Sequence, residues 1–316
     1  GREETVSLQE NLQENDPLQE EMQIETEKEE KEEKEDSPES AAKEQTAVSE
    51  EELDLEDDIE NGYFHFLRPS DGLIAAFFVP VAVLIILFAQ RGIFPFGEEC
   101  FLRTDMYHQY APFFSEFQYK LKQGGSLLYS WDIGMGVNFS ALYAYYLASP
   151  VNWLIILCPK KFIIEFMTRH LMVKTGLCGV TFTWYLDHHF EKKHFVAGVF
   201  GIFYALSGYM AAYSWNIMWL DCIFLLPLIL YGLEQLVQEK KGLFYCVTLG
   251  LSILSNYYIS IMICIFMVMY VIVQVILYPP KKIKDLVATG VRFGFYSLLA
   301  GGLAAVVLLP EIYALQ

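Results

Sequence analysis

From residue 72 onward, long apolar runs alternate with short polar breaks, the runs lying near 72–90, 171–187, 195–214, 217–237, 243–258, 260–278 and 289–309. Each is apolar enough, and about long enough, to cross roughly 30 Å of hydrocarbon as a helix, a form that satisfies its own backbone hydrogen bonds where water is absent. Seven spans are predicted. The stretch 243–278 is continuous and too long for one helix, and Ser255-Asn256-Tyr257-Tyr258 at its middle supplies a polar break, so it reads as two short helices. Another apolar stretch, Ala141–Cys158, is interrupted by Ser149-Pro150-Val151-Asn152.

Lysine and arginine in short loops set the orientation. Arg68, Lys192-Lys193, Lys240-Lys241 and Lys281-Lys282 with Lys284 share one side, the cytoplasmic one, only if the loop 92–170 stays wholly on the other. Ala141–Cys158 is therefore read as interfacial or re-entrant. Lys160-Lys161 then lie outside, which a long loop tolerates because it translocates largely regardless of charge. The expected protein is a multi-pass plasma-membrane protein with a cytoplasmic N-terminus. Its outer face collects the Asp105 loop, Trp215–Asp221, Ser255–Tyr258 and Pro310-Glu311.

Composition changes the picture at one place. The chain is 54% hydrophobic and 16% aromatic yet carries a net charge of -17. Residues 1–60 hold 25 of the 39 acidic and 5 of the 22 basic residues, so the acidity belongs to the tail and the remainder stands at +3. With a Glu/Lys run from Glu25 to Asp36 and almost no aromatics, residues 1–62 bury too little apolar surface to offset ordering entropy, and a disordered, solvated tail is expected. It lacks the basic and short apolar regions of a signal peptide, so targeting falls to the first span. The fold class expected for 63–316 is all-α: a polytopic transmembrane helix bundle with interfacial helices in the first outer loop. The chain begins without Met and stops at Gln316 just after an apolar run, as a piece of a longer protein would. Six cysteines are scattered without a C-x-x-C pair, which supports neither a disulfide framework nor a zinc site.

Candidate chemistry concentrates in the outer loop. If helical, 105–121 puts Asp105, Gln109, Pro112 and Glu116 on one stripe and Tyr110, Phe113, Phe114, Phe117 and Leu121 on another, the pattern of a helix lying in the membrane surface. Pro112 marks a helix start or kink. A carboxylate at headgroup level can take a proton from a hydroxyl or hold a divalent cation; the competing reading of Asp105 is a solvated cap. Asp221, a few residues into an apolar helix beside Trp215 and Trp219, needs a partner or a role. Among the outer-face cations, Arg103 and Lys174 are candidates for a lipid phosphate, with snorkelling or pairing to Glu165 or Asp221 as the alternative for Lys174. Trp131 and Asn138 flank Gly134-Met135-Gly136 and suit stacking on a sugar or headgroup, and Asn256 is a further polar candidate. Asp187-His188-His189 with His194 has metal-ligand residue types but reads as a solvated turn beside lysines. A catalytic face outside the cell lacks nucleotide sugars and ATP, so group transfer there needs a donor carried on a lipid.

Taken in order, Asp105–Phe114, Tyr129–Phe139, Tyr145–Trp153 and Ser207-Gly208-Tyr209 with Trp215–Asp221 resemble the bacterial YfhO membrane-protein family from about residue 70 to 316. The resemblance implies a GT-C-type glycosyltransferase with an acidic residue in its first outer loop, a position that Asp105 matches, and a polyprenyl-phosphate sugar as donor. It implies an envelope polymer related to lipoteichoic acid as acceptor, N-acetylglucosamine as a common sugar, and a parent chain longer than this one. Asp105 is then the base or a metal ligand, Arg103 and Lys174 meet the departing phosphate, and Asp221 and Gln109 orient the sugar or acceptor. The expected partners are the donor, the acceptor and the lipid bilayer, not nucleic acid. The cofactor is left open, a divalent cation being the one candidate. A flippase or transporter of a lipid-linked precursor is the alternative from a different class, and an inactive envelope scaffold a third.

Overall fold

A computed structural model describes residues 69–191, 195–314 and 316, so the acidic tail, Arg68, Lys192-Lys193 and His194 lie outside the described residues. The first span is α1, Pro69–Gln90, apolar from Leu73 to Ala89 after a first turn that carries Asp71. Most of it faces outward, with Ile74, Phe78 and Ile86 exposed, as a helix bathed by lipid requires. Four further helical stretches are long and apolar enough to cross a membrane: Phe195–Tyr213, Ile217–Gln238, Tyr257–Leu277 and Ile283–Leu303. The first of these is broken between α5, Phe195–Ala205, and α6, Gly208–Tyr213. The second is a short 3-10 turn, Ile217–Trp219, running into α7, Leu220–Gln238. The others are α9, Tyr257–Leu277, and α10, Ile283–Leu303, the latter beginning six residues before the predicted 289.

The two remaining predicted spans take different forms. The run 171–187 lies within α4, Ile163–His189, a helix of 27 residues that packs against α1, α5 and α7. Composition understates it, because α4 carries Thr168, Thr175, Thr181 and Thr183. Each hydroxyl donates to the carbonyl four residues back, at 2.8–3.0 Å, so none of these four threonine side chains carries an unmet hydrogen bond into the bundle. The run 243–258 contains only α8, Leu243–Ser255, which is 13 residues long. Asn256 breaks the chain before α9 with φ -160°, as the polar tetrad predicts, but α9 is a full-length helix, not a short one.

Small residues bring α1, α4 and α5 together. A side chain at Gly179 would meet the Ala76 carbonyl of α1, and one at Gly198 the backbone of Gly72. The burial of the spans grades accordingly: 61% of the α7 window is inside the protein against 11% for α10.

Residues 91–162 gather at one end of the bundle. A π turn, Met106–Tyr110, leads into α2, Ala111–Gln123, with Pro112 in its first turn, where its missing N–H costs nothing. Helix α2 buries Phe114 and Phe117 in a cluster with Met106, Phe139, Leu147 and Ile155, so its apolar stripe packs on protein. Glu116, on the predicted polar stripe, is buried too, accepting from Ser130 at 2.6 Å beside Lys120 at 3.4 Å. A two-residue hairpin pairs β1, Tyr129–Ser130, with β2, Val137–Asn138. It feeds the short helix α3, Phe139–Leu142, and a second π turn, Tyr143–Leu147. The chain then bends by 102° into a 3-10 segment, Pro150–Leu157, the shape of a re-entrant loop or a broken span. Gln118 of α2 clamps that second arm by donating to the carbonyls of Ile155 and Cys158 at 2.8 and 2.7 Å.

Candidate functional site

The bent hairpin is the meeting point of every polar segment at this end. From the Asp105 loop, Gln109 accepts from the Tyr146 hydroxyl at 2.7 Å, and the Tyr146 ring sits edge-on to Tyr110 at 5.5 Å. From the start of α7, Asp221 accepts from Ser149 Oγ at 2.8 Å, at the bend itself. From the α8–α9 break, Asn256 Nδ2 donates to the Tyr145 carbonyl at 3.0 Å while its Oδ1 caps α9 by accepting from the Ile259 N–H at 2.9 Å. The last contributor is α11, Ala305–Ala314, which packs on α3 and the Tyr143–Leu147 turn and places Glu311 within 2.6 Å of the Tyr257 hydroxyl.

Asp105 stands at the head of the first π turn without a side-chain capping bond, and no other hydrogen bond to its carboxylate occurs among the described residues. It is half-buried. Thr104 immediately before it has φ 49°, a left-handed conformation that a β-branched residue adopts only under strain. Five residues on, Tyr110 is buried, and its hydroxyl donates to Asn216 Oδ1 at 3.2 Å. Burial above all, then the Tyr146 and Tyr145 phenols and the Asp105 carboxylate, push Tyr110 above the ordinary tyrosine range, so it remains a neutral donor. The arrangement leaves one carboxylate free to accept a proton beside a wall of protonated phenols.

The other predicted site residues divide sharply. Lys174 and Asp221 are paired with each other, both wholly buried, and Lys174 Nζ donates further to the Ile217 carbonyl at 3.2 Å. The pair ties α4, α7 and the hairpin together beneath the site. Asn256 is likewise buried and fully committed to its two backbone partners. Arg103 is exposed two residues from Asp105. Trp131 is 75% exposed and packs on Tyr129, and Asn138 caps α3, accepting from the Ala141 N–H at 3.3 Å. Their hairpin is held to α2 through Lys120, which donates to the Tyr129 carbonyl at 2.9 Å. Among the described residues no hydrogen bond or ring contact joins Trp131 or Asn138 to Asp105 or Gln109.

Tyr110, Tyr145, Tyr146, Ser149, Tyr257 and Glu311 complete the site, though the site reading of the sequence does not single them out. The signals for them are the gathering of Ser255–Tyr258 and Pro310-Glu311 on the same face as the Asp105 loop and, for the rest, a position in or beside a polar interruption of an apolar run. Among the described residues no three His, Cys, Asp or Glu side chains surround a common point, so a divalent cation at Asp105 would need water or substrate oxygens for its remaining ligands. At the opposite end, Asp187-His188-His189 is the last turn of α4 and not a solvated turn. Asp187 is buried, His188 Nδ1 lies 2.7 Å from the Trp184 carbonyl, and His189 pairs with buried Glu234 at 3.0 Å.

No curated protein and no solved structure matches the chain. The family model described as bacterial membrane protein YfhO matches residues 75–316, which takes in all but the first turns of α1 and the whole of the site around Asp105. By that match the chain belongs to the bacterial YfhO membrane-protein family.

Proposed function

We propose that this protein is a membrane glycosyltransferase, moving a sugar from a polyprenyl-phosphate carrier to an envelope polymer related to lipoteichoic acid. The end that bears Asp105 faces the cell exterior, and the lysine-bearing turns face the cytosol. The observation that carries this reading is the Asp105 carboxylate, without a hydrogen bond among the described residues, set after a strained residue and beside tyrosines held in the protonated state. A base must have an unoccupied lone pair where the acceptor hydroxyl arrives, and Asp105 has one.

In the proposed reaction the acceptor oxygen attacks the anomeric carbon in line with the bond to the lipid phosphate. The new glycosidic bond forms as the carbon–phosphate-oxygen bond breaks, with inversion, and the phosphate keeps the electron pair. The hydroxyl proton passes to Asp105. In this reading Arg103, which is exposed, meets the departing phosphate, and Gln109, bonded to Tyr146, holds a substrate hydroxyl. Lys174 and Asp221 serve by fixing the hairpin at Ser149, since each is occupied by the other. Were a divalent cation bound at Asp105, it would neutralise phosphate charge.

Asp105→Asn keeps the shape and removes the base. Transfer is expected to fall by about 10²–10⁴-fold, the usual worth of general base catalysis. The measurement is sugar content of the envelope polymer, with membrane levels of the variant checked in parallel. Undiminished glycosylation at normal protein levels removes Asp105 from catalysis. Broken helices such as the bent hairpin and the α8–α9 run also occur in membrane transporters, and a carrier of a lipid-linked precursor is the second reading. Reconstitution with the lipid-linked sugar separates the two: translocation without transfer establishes the carrier.

A further inference from the structure

We infer that Glu311 is a second working carboxylate of the Asp105 site and that, with Tyr257, it binds hydroxyl groups of the sugar ring. The inference rests on the glycosyl-transfer reading. Glu311 is 8% exposed, and its Oε1 accepts from the Tyr257 hydroxyl, but its Oε2 has no partner among the described residues. A buried carboxylate oxygen left without a donor is rare in a settled core and calls for a ligand. Among the described residues no lysine or arginine pairs with it, in contrast to Asp221, whose two oxygens are both taken.

Glu311 is joined to the site by an unbroken path of rings. Tyr257 lies 5.8 Å from Tyr145, and Tyr145 lies 4.8 Å from Tyr146, which bonds Gln109 one turn beyond Asp105. Tyr258, 6.3 Å from Tyr145, stacks on Trp219 at 6.3 Å. Along this path the unmatched polar atoms are of both kinds. Among the described residues Trp219 Nε1 is a donor without an acceptor and Glu311 Oε2 an acceptor without a donor, and Asn216 Nδ2, on the side chain that accepts from Tyr110, is a further donor without an acceptor.

A ligand that answers both needs must donate and accept at once and must present an apolar face to aromatic rings. Hydroxyl groups on a pyranose do so. A phosphate does not, because it would face an uncompensated carboxylate. A metal ion does not, because the described residues supply no three ligands around one point.

The test uses the whole protein reconstituted in lipid, with polyprenyl-phosphate-linked N-acetylglucosamine as the probe. Glu311→Gln removes the charge at constant shape, and Tyr257→Phe removes the hydroxyl that holds the carboxylate. Each is expected to raise KM for the sugar-bearing donor or for the polymer acceptor about tenfold, the worth of one hydrogen bond to a charged group, with kcat within about threefold. The sugar-bearing lipid is also expected to quench Trp219 fluorescence, read as the difference from Trp219→Phe, and polyprenyl phosphate alone to leave it unchanged. Unaltered KM for both substrates in both variants overturns the inference, as does equal quenching by the sugar-free lipid. If the variants fail to reach the membrane, the quenching comparison on the native chain decides by itself. Loss of transfer in Asp105→Asn together with normal KM values in both Glu311 and Tyr257 variants defeats the inference alone. Undiminished transfer in Asp105→Asn defeats the catalytic reading, and the fluorescence arm still judges Glu311.

Discussion

Asp105 and Asp221 are both carboxylates at the same end of one bundle, and their partners give them opposite work. Asp221 is saturated by Lys174 and Ser149, while Asp105 has no hydrogen bond to its carboxylate among the described residues. A buried pair contributes little over apolar residues of similar volume, but removing one member strands a charge at a cost of about 3–5 kcal/mol. Lys174→Met is therefore expected to destabilise the protein by about that amount, and Lys174→Met with Asp221→Leu to recover most of it. Thermal unfolding of the purified variants in detergent measures both. A single variant as stable as the native protein would show that the pair does not lock the hairpin. Cost of burial predicts a partner or a role for Asp221 from sequence, but the choice of Lys174 and Ser149 depends on residues 47 and 72 positions away.

Among elements, the bent hairpin and the α8–α9 break depend on each other through Asn256. Its side chain caps α9 and holds the Tyr145 carbonyl, so Asn256→Ala removes a helix cap and takes the donor from a part-buried backbone oxygen. The cap alone is worth about 1 kcal/mol and the stranded carbonyl about 1–3 kcal/mol more. Lower thermal stability is expected, together with faster maleimide reaction of a cysteine placed at Tyr145; an unchanged labelling rate would mean that the break does not brace the hairpin. The polar tetrad within 243–278 and the Ser149-Pro150 interruption were legible as breaks because a polar cluster cannot continue a lipid-facing helix. What the breaks hold on to was not legible, since side-chain to backbone bonds across 111 residues leave no local pattern. Helix α4 shows the reverse. Its threonines lower its hydropathy, and only their bonds to its own carbonyls reveal how it is buried against three other helices.

For the whole molecule, the chain itself carries the probe of its orientation. Cys100 is exposed in the segment before Asp105, whereas Cys178, Cys222 and Cys246 are buried. Cys158, at the same end, is partly exposed, so a membrane-impermeant maleimide added to intact cells is expected to label the native protein, and Cys100→Ser together with Cys158→Ser to abolish the labelling. A cysteine introduced at Lys240 is expected to stay unlabelled until the membrane is opened. The reverse pattern would put Asp105 in the cytosol and end the case for an external lipid-linked donor.

The sequence alone determined that this is an all-α membrane protein, where its main apolar spans lie, and that polar chemistry gathers after the first of them. Those properties are local, because a run of apolar residues partitions into lipid whatever its neighbours do. Only the tertiary structure decided which polar residues stay free. It spent Lys174, Asp221 and Asn256 on one another and on the backbone, left the Asp105 carboxylate without a hydrogen bond among the described residues, and joined Glu311 to Tyr257, which packs against Tyr145. The reason is that a hydrogen bond in a site that excludes water is satisfied by whatever the fold brings within about 3 Å, irrespective of distance along the chain.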